Sequence, residues 1–390
     1  MSMRMNSILK FWHLTVCLIL LCNLRISAQQ ERAIPTGVPF LLIPTDARAA
    51  GMGDVGVATS PDAYSARWNP AKSVFSEDRV LISFGYTPYL ESIVNDVNLI
   101  GFNYTKKTSD RSAWGVGLTY FGLGEIQFRQ TIDEIPQLVN PSELALDVNY
   151  ALKLSERFGL SVGTRFITSN LRFTDNTQDT RAANALAVQI GGYYQSDIIY
   201  NNGGTDGRFR TGFSIMNLGS KIKYDGGGQE NFLPSILRVG VGYDFIFNAD
   251  SQLAVSFETQ KLLVPTPRDF DNDGDIDSAD NLEYQNIGFF EGFLNSFSDA
   301  PGGFSEELKE IAWSLGLEYN FQDTFALRTG YFNESKDKGS RSYATFGAGF
   351  DYRETHFDLS YLFSTSQIKN PLENTLRISI TFAIDKGFYQ

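Results

Sequence analysis

The chain has 390 residues and a formal net charge of −12. Its mean hydropathy is slightly negative, and no internal stretch reaches the run of about 20 apolar residues that a spanning helix requires. That excludes a helical membrane protein, makes nucleic acid a poor partner for so acidic a chain, and leaves a membrane barrel open, because half of each barrel strand faces a polar lumen.

Residues 1–28 read as a secretory signal. Arg4 and Lys10 supply the positive start, Phe11 to Leu24 the apolar stretch, and Ser27-Ala28 before Gln29-Gln30 the cleavage point. Cys22 invites a lipoprotein reading, but Ile19, Leu20 and Leu21 ahead of it are too bulky for one. Both cysteines, Cys17 and Cys22, fall in this removable segment. The mature chain then has no disulfide, no thiolate nucleophile and no cysteine metal site. Of the histidines only His356 remains.

Residues 29–79 do not read as strands. Gly51, Gly53, Asp54 and Gly56 form a glycine-rich run, and Asn69-Pro70 gives a turn signal. A segment of this length ahead of the first strand either plugs a lumen or trails into the periplasm.

From Val80 onward, runs of about ten residues alternate apolar and polar, as strands with two unlike faces do. They are expected near 80–90, 95–106, 112–122, 143–153, 157–169, 184–195, 208–218, 235–247, 251–262, 310–321, 324–334, 341–352, 355–366 and 374–384. The last is the plainest: Leu376, Ile378, Ile380 and Phe382 interleave with Arg377, Ser379 and Thr381. Tight turns at Ser155-Glu156, Asn248-Ala249-Asp250, Gln322-Asp323 and Arg353-Glu354 follow even-numbered strands. Long connections near 123–142, 170–183, 219–234 and 263–309 follow odd-numbered ones, while 196–207 is long for a turn. Short turns on one side and long loops on the other predict an all-β fold. The expectation is a 14-stranded antiparallel transmembrane β-barrel over 80–390, in the outer membrane, with a plug at 29–79 and extracellular loops. Charges fall on the parity opposite the apolar one: Arg165, Arg238, Arg328 and Arg377 with Asp147, Asp244, Glu258, Glu318, Asp351 and Asp358. Facing lipid, an Arg or Lys near the midplane costs about 2–4 kcal/mol, so this parity is assigned to the lumen. There the mixed signs form paired networks or simply a wet interior.

The longest loop, 263–309, contains the sharpest local motif. Asp269, Asp271, Asp273, Asp275, Asp277 and Asp280 alternate through a segment with Gly274 at its sixth position, the spacing of a calcium loop. The twelfth position holds Asp280 instead of Glu. The plain alternative is an acidic, solvated loop tip. Beyond it, Phe289, Phe293 and Phe297 would share one helix face. Such a face caps the barrel, rests on lipid, meets a partner, or only packs the loop.

The run Gly51 to Ala58 followed by Trp68-Asn69-Pro70-Ala71 resembles the hatch of the long-chain fatty acid transporter (FadL-like) superfamily, whose barrels have fourteen strands. Val38-Pro39-Phe40-Leu41, Pro44 to Arg48, Met52 to Ala63 and Lys261 to Pro267 extend the resemblance to the PorV (LptO) family. That family is the outer-membrane shuttle of the Bacteroidetes type IX secretion system. The resemblance implies a shuttle that takes exported cargo by its C-terminal domain from the translocon SprA (Sov). It implies delivery to the attachment complex with the sortase PorU, and no catalysis by this chain. A FadL-like transporter of hydrophobic small molecules is the alternative; it requires an apolar path through the lumen. An outer-membrane hydrolase is the third class, and it has only His356 to draw on, beside a periplasmic turn.

Overall fold

In lipid, every backbone N–H and C=O needs a partner inside the protein, which for strands means a closed sheet. The computed structural model has that closure. It describes residues 33–386 other than 92, 130–132, 134, 172–181, 225–228 and 367–369, so the signal at 1–28 and the first plug residues, 29–32, lie outside the described residues. The barrel strands are β1 (Asp78–Pro88), β2 (Val97–Ser109), β3 (Ser112–Leu123), β4 (Ser142–Lys153) and β5 (Phe158–Asn170). They continue as β6 (Ala183–Gln195), β7 (Asp206–Gly219), β8 (Ile236–Asn248), β9 (Ser251–Leu262) and β10 (Ile311–Phe321). The last four are β11 (Phe325–Asn333), β12 (Ser342–Tyr352), β13 (Thr355–Ser364) and β14 (Leu376–Lys386). Each pairs with its neighbour in sequence, and β1 closes antiparallel on β14 with Gly85 opposite Ser379.

The parity read from the sequence holds. On β14 the outward Leu376 and Ile378 are exposed, whereas the inward Arg377 and Ser379 are buried. Tight turns and long loops lie on opposite sides as expected. The connection after β6 folds back on itself through a bridge between Ile199 and Gly207. Two outer loops rise as small hairpins, Ile126–Phe128 against Gln137–Val139 and Ile222–Lys223 against Glu230–Asn231. The longest loop holds α3 (Ser278–Asn286), α4 (Phe289–Asn295) and α5 (Phe304–Glu307). The helical face expected from Phe289 to Phe297 is shorter than its spacing suggested, because α4 ends at Asn295. Phe297 still stacks edgewise on Phe293 from outside the helix.

The N-terminal segment fills the lumen. It is built from short pieces: a 3-10 turn (Pro39–Leu42), α1 (Ala47–Ala50), α2 (Ser65–Trp68) and a second 3-10 turn (Pro70–Phe75). Asp46 caps α1 by accepting the Ala49 N–H at 2.7 Å, and its other oxygen accepts the Trp68 indole N–H at 2.7 Å. The chain enters from the side of the long loops: the Gly37 N–H meets the Phe232 carbonyl at 2.9 Å, and the Val38 N–H meets the Tyr224 hydroxyl at 3.0 Å. It leaves at the opposite end, where Lys107 holds the Ser76 carbonyl at 2.7 Å beside the tight turn between β2 and β3. The plug therefore crosses the barrel end to end before β1 begins.

Two wall glycines permit this fit. A Cβ on Gly85 would stand 1.7 Å from the Thr45 carbonyl oxygen, and one on Gly330 would stand 2.0 Å from the Met52 carbonyl carbon. Both obstacles are plug backbone, which cannot swing aside. Gly330→Ala is expected to lower the unfolding stability of the detergent-solubilised barrel by about 1–3 kcal/mol, the usual cost of overpacking. An unchanged urea midpoint would show that the plug does not press on the wall there.

Candidate functional site

Charge inside the lumen is arranged so that plug and wall complete each other. Arg48 on α1 donates to Glu318 of β10 through Nε at 2.9 Å and Nη2 at 2.7 Å. Its Nη1 reaches Asp62 within the plug at 2.6 Å. Glu318 also accepts from Arg328 of β11 at 2.6 Å, and Arg328 continues to Asp358 of β13 at 2.6 Å. His356 closes this string at the periplasmic end. Its ring nitrogens lie 2.6 Å from Asp351 and 2.8 Å from Asp358, which leaves neither for a serine. Elsewhere Arg165 grips Asp147 through two nitrogens at 2.6 and 3.0 Å, and Arg210 pairs with Asp244. Glu258 turns one oxygen to the plug, accepting the N–H groups of Gly56 and Val57 at 2.8 and 2.9 Å.

The plug residues singled out from sequence all meet the wall. Gly51 lies against Gly347, and Gly53, with φ of 70°, lies against the Tyr331 backbone. Asp54 also has positive φ, 64°, and accepts from the Tyr343 hydroxyl. The Asn69 amide bridges the carbonyls of Val57 and Gly192, both at 3.0 Å, while Pro70 opens the second 3-10 turn. Sequence reasoning missed Arg48 and Lys72, because charges in a glycine-rich segment look like solvated loop residues. Lys72 is instead fully buried, donating to the Gly56 carbonyl at 2.9 Å and the Thr59 hydroxyl at 2.8 Å.

On the side of the long loops, between the wall and the plug's first residues Ala33, Ile34, Thr36, Pro39 and Leu42, lies a cavity of about 360 Å3. Its floor includes Asp54 and Tyr343, its wall Arg238 and Phe332, and its rim Lys338 and Arg341.

In the long loop, the carboxylates of Asp269, Asp271 and Asp273 come within 4.8 Å of one another. Asp275, Asp277 and Asp280 do not join that group. Asp277 caps α3 through the Ala279 N–H at 2.7 Å. Asp280 accepts the N–H groups of Phe270 at 2.6 Å and Asp277 at 3.0 Å. Those amides hold its carboxyl below the usual range, the Asp277 N–H most strongly. Asp271 is pushed up: the Asp273 N–H opposes the shift, but desolvation and the charges of Asp273, Asp280 and Asp269 prevail. Asp269, Asp271 and Asp273 carry hard oxygens of the kind calcium takes, and like Asp280 they also accept loop N–H groups: Asp269 those of Asn272 at 2.5 Å and Gly274 at 2.8 Å, Asp271 that of Asp273 at 3.2 Å and Asp273 that of Asp275 at 3.0 Å.

A second acidic group anchors this loop to the barrel. Glu310 takes Lys261 at 2.5 Å, Lys338 at 2.8 Å and the Thr266 hydroxyl at 2.5 Å, and Glu307 takes Lys261 at 3.0 Å. Asp299 sits beside them and accepts the Thr266 N–H at 3.0 Å, its other oxygen having no hydrogen bond among the described residues. Burial, reinforced by Glu310 and Glu307, pushes its carboxyl up to about 6 from the ordinary 3.8. A raised carboxyl favours the uncharged form, so its stabilising effect is full below the ordinary value and is lost as pH rises through about 6. Hydrogen-exchange protection of 263–310, corrected for intrinsic rates, should fall between pH 4 and pH 8, and Asp299→Asn should flatten that fall. Equal protection at both pH values in the unaltered protein would remove Asp299 from the anchor.

Solved structures similar to this chain include the CymD monoaromatic hydrocarbon channel, at 14% identity and TM-score 0.47, covering 88% of this chain and 98% of the other. The Pseudomonas putida toluene transporter TodX gives 11% and 0.46 over 87% and 98%. A Pseudomonas aeruginosa FadL homologue gives 12% and 0.43 over 90% and 99%. No curated protein matches. A family model described as "Type IX secretion system protein PorV" matches residues 26–269, more than half of the chain. This outer-membrane β-barrel belongs to the PorV family of type IX secretion system proteins.

Proposed function

We propose that this barrel is a carrier at the cell surface. It takes exported proteins by their C-terminal signal domain once they have crossed the membrane, and it hands them to the attachment complex. The family match over residues 26–269 carries this reading. The partners it requires are the translocon SprA (Sov) on the giving side and the sortase PorU on the receiving side. The outer surface has what such a role needs: two small hairpins, at 126–139 and 222–231, and a helical loop. Their short strands present backbone to which an extended cargo segment can add.

Transport of a hydrophobic small molecule fits less well. It calls for an apolar path, whereas Arg48, Glu318, Arg328 and Lys72 cross the lumen buried and paired. No chemical step is asked of the chain.

Affinity purification from native outer membranes is expected to bring along a very large barrel and exported proteins that still carry their C-terminal domains. Recovery of the barrel free of both would end the carrier reading. Within it, calcium at Asp269, Asp271 and Asp273 stiffens the tip of the long loop. Calorimetry on the whole protein should register calcium heat that Asp271→Asn removes. Silence at millimolar calcium would assign the acids to solvent.

A further inference from the structure

The connection between β6 and β7 is long for its side of the barrel, and its residues are unlike those of the tight turns there. Those turns hold Ser155-Glu156, Asn248-Ala249-Asp250, Gln322-Asp323 and Arg353-Glu354. This connection instead carries Ile199 and Tyr200, 55% and 76% exposed. A wholly polar run follows them, Asn201-Asn202-Gly203-Gly204-Thr205-Asp206. A single exposed apolar residue needs no explanation, whereas one that extends a larger apolar surface does.

Hydrogen bonds settle where Ile199 points. Its N–H donates to the Gly207 carbonyl at 2.7 Å, and the Gly207 N–H returns to the Ile199 carbonyl at 3.0 Å. Residues directly opposed in an antiparallel pair share a face. Gly207 stands two residues before Phe209 on β7 and therefore on the face of Phe209, which is exposed, while Arg210 on the other face is buried. Ile199 thus lies on the lipid-facing side of the wall. Across the sheet, Gly207 is opposite Phe245 of β8, so Ile199, Gly207 and Phe245 stand side by side. The space over Gly207 is taken by Tyr243, since a Cβ there would stand 2.0 Å from its hydroxyl. Tyr243 meets Phe245 edge to face at 4.8 Å, and Tyr194 lies 6.5 Å from Phe209. An outward belt of aromatic rings therefore runs along the ends of β6, β7 and β8, and Ile199 continues it.

We propose that Ile199 and Tyr200 anchor this connection in the periplasmic leaflet of the outer membrane. The Ile199 side chain enters the acyl chains beside the aromatic belt. The Tyr200 ring lies among the phospholipid headgroups, where an apolar body and a polar tip are both matched. Residues 201–206 alone stand in the periplasm, and the change from apolar to polar between Tyr200 and Asn201 marks the border. The length of the connection then has a reason, because a two-residue turn would leave nothing to carry the anchor. This assignment does not depend on the carrier reading.

The chain from Gln29 onward contains no cysteine, so Ile199→Cys, Tyr200→Cys, Asn202→Cys and Phe245→Cys each give one site for a nitroxide label. The labelled proteins are reconstituted in phosphatidylcholine vesicles. Collisions of the label with oxygen, which concentrates in lipid, are compared with collisions with a water-soluble nickel chelate. The oxygen-to-nickel ratio at position 199 should match that at position 245 and exceed that at position 202 several-fold, with position 200 in between. Equal ratios at 199 and 202 would overturn the anchor. A label at 199 open to nickel in vesicles, yet shielded from both reagents in native outer membranes, would overturn it too and assign the surface to a periplasmic protein. Should Ile199→Cys not fold, Tyr200→Cys carries the test, and a ratio there no higher than at 202 overturns the anchor equally.

Discussion

The contact between Arg48 and Glu318 is where plug and wall become one structure. Glu318 is 3% exposed and lies between two guanidiniums, one from the plug and one from the neighbouring strand. Arg328 faces Glu318 directly across the β10–β11 pair, so wall pairing and plug docking share one carboxylate. Removing a single member of a buried pair costs about 3–5 kcal/mol, because the survivor is left charged and unpaired. The cost falls on both parts at once, so the barrel cannot be perturbed at this level without disturbing what it contains.

Close approach does the rest. A plug made of short helical pieces has many backbone groups to satisfy and little regular structure to satisfy them. It reaches its partners because the wall offers glycines where backbone meets backbone, as at Gly85 and Gly330, and polar side chains where plug amides need an acceptor, as at Glu258. Asn69 illustrates the economy of the arrangement: one amide group joins the plug carbonyl of Val57 to the wall carbonyl of Gly192. The glycine-rich run Gly51–Gly56 is therefore a packing requirement. Gly53 and Asp54 turn the chain through positive φ against β11 and β12.

Strand count, parity and the side of the long loops were legible because each follows from a period of two repeated many times. A local period survives without tertiary information. The contents of the lumen were less legible. Arg165, Arg238, Arg328 and Arg377 could be assigned to the inner face, yet nothing in their spacing says that Arg328 bridges two carboxylates while Arg377, 3.7 Å from Asp54, has no hydrogen-bond partner among the described residues. That difference depends on where the plug lies, and Asp54 comes from far away in the chain. Wall glycines such as Gly240 and Gly316 read as neutral members of the polar parity, although each faces the plug at close range. Asp280 illustrates the opposite difficulty. Its place at the end of an acidic motif suggested a ligand, but as the third residue of α3 it completes a capping box with Asp277. A motif fixes residue types at intervals; the helix that follows decides which way the carboxylate turns.

These constraints bear on where the molecule can act. A barrel that conducts has to move its plug, and this plug is tied along its whole length. It is held at the outer mouth by Tyr224 and Phe232, at mid-lumen by Glu318 and Glu258, and near the periplasmic end by Lys107. Buried charge pairs break together or not at all, because each break exposes an unpaired ion to a poorly solvated lumen. The outer loops carry no such penalty. Their small hairpins and the exposed Phe290, Leu294 and Phe297 lie outside the barrel, where contacts with another protein can form and dissolve without unpairing the interior. A plug tied in this way keeps the lumen filled and rigid, with Trp68 of the plug backing the Arg238 guanidinium of the wall.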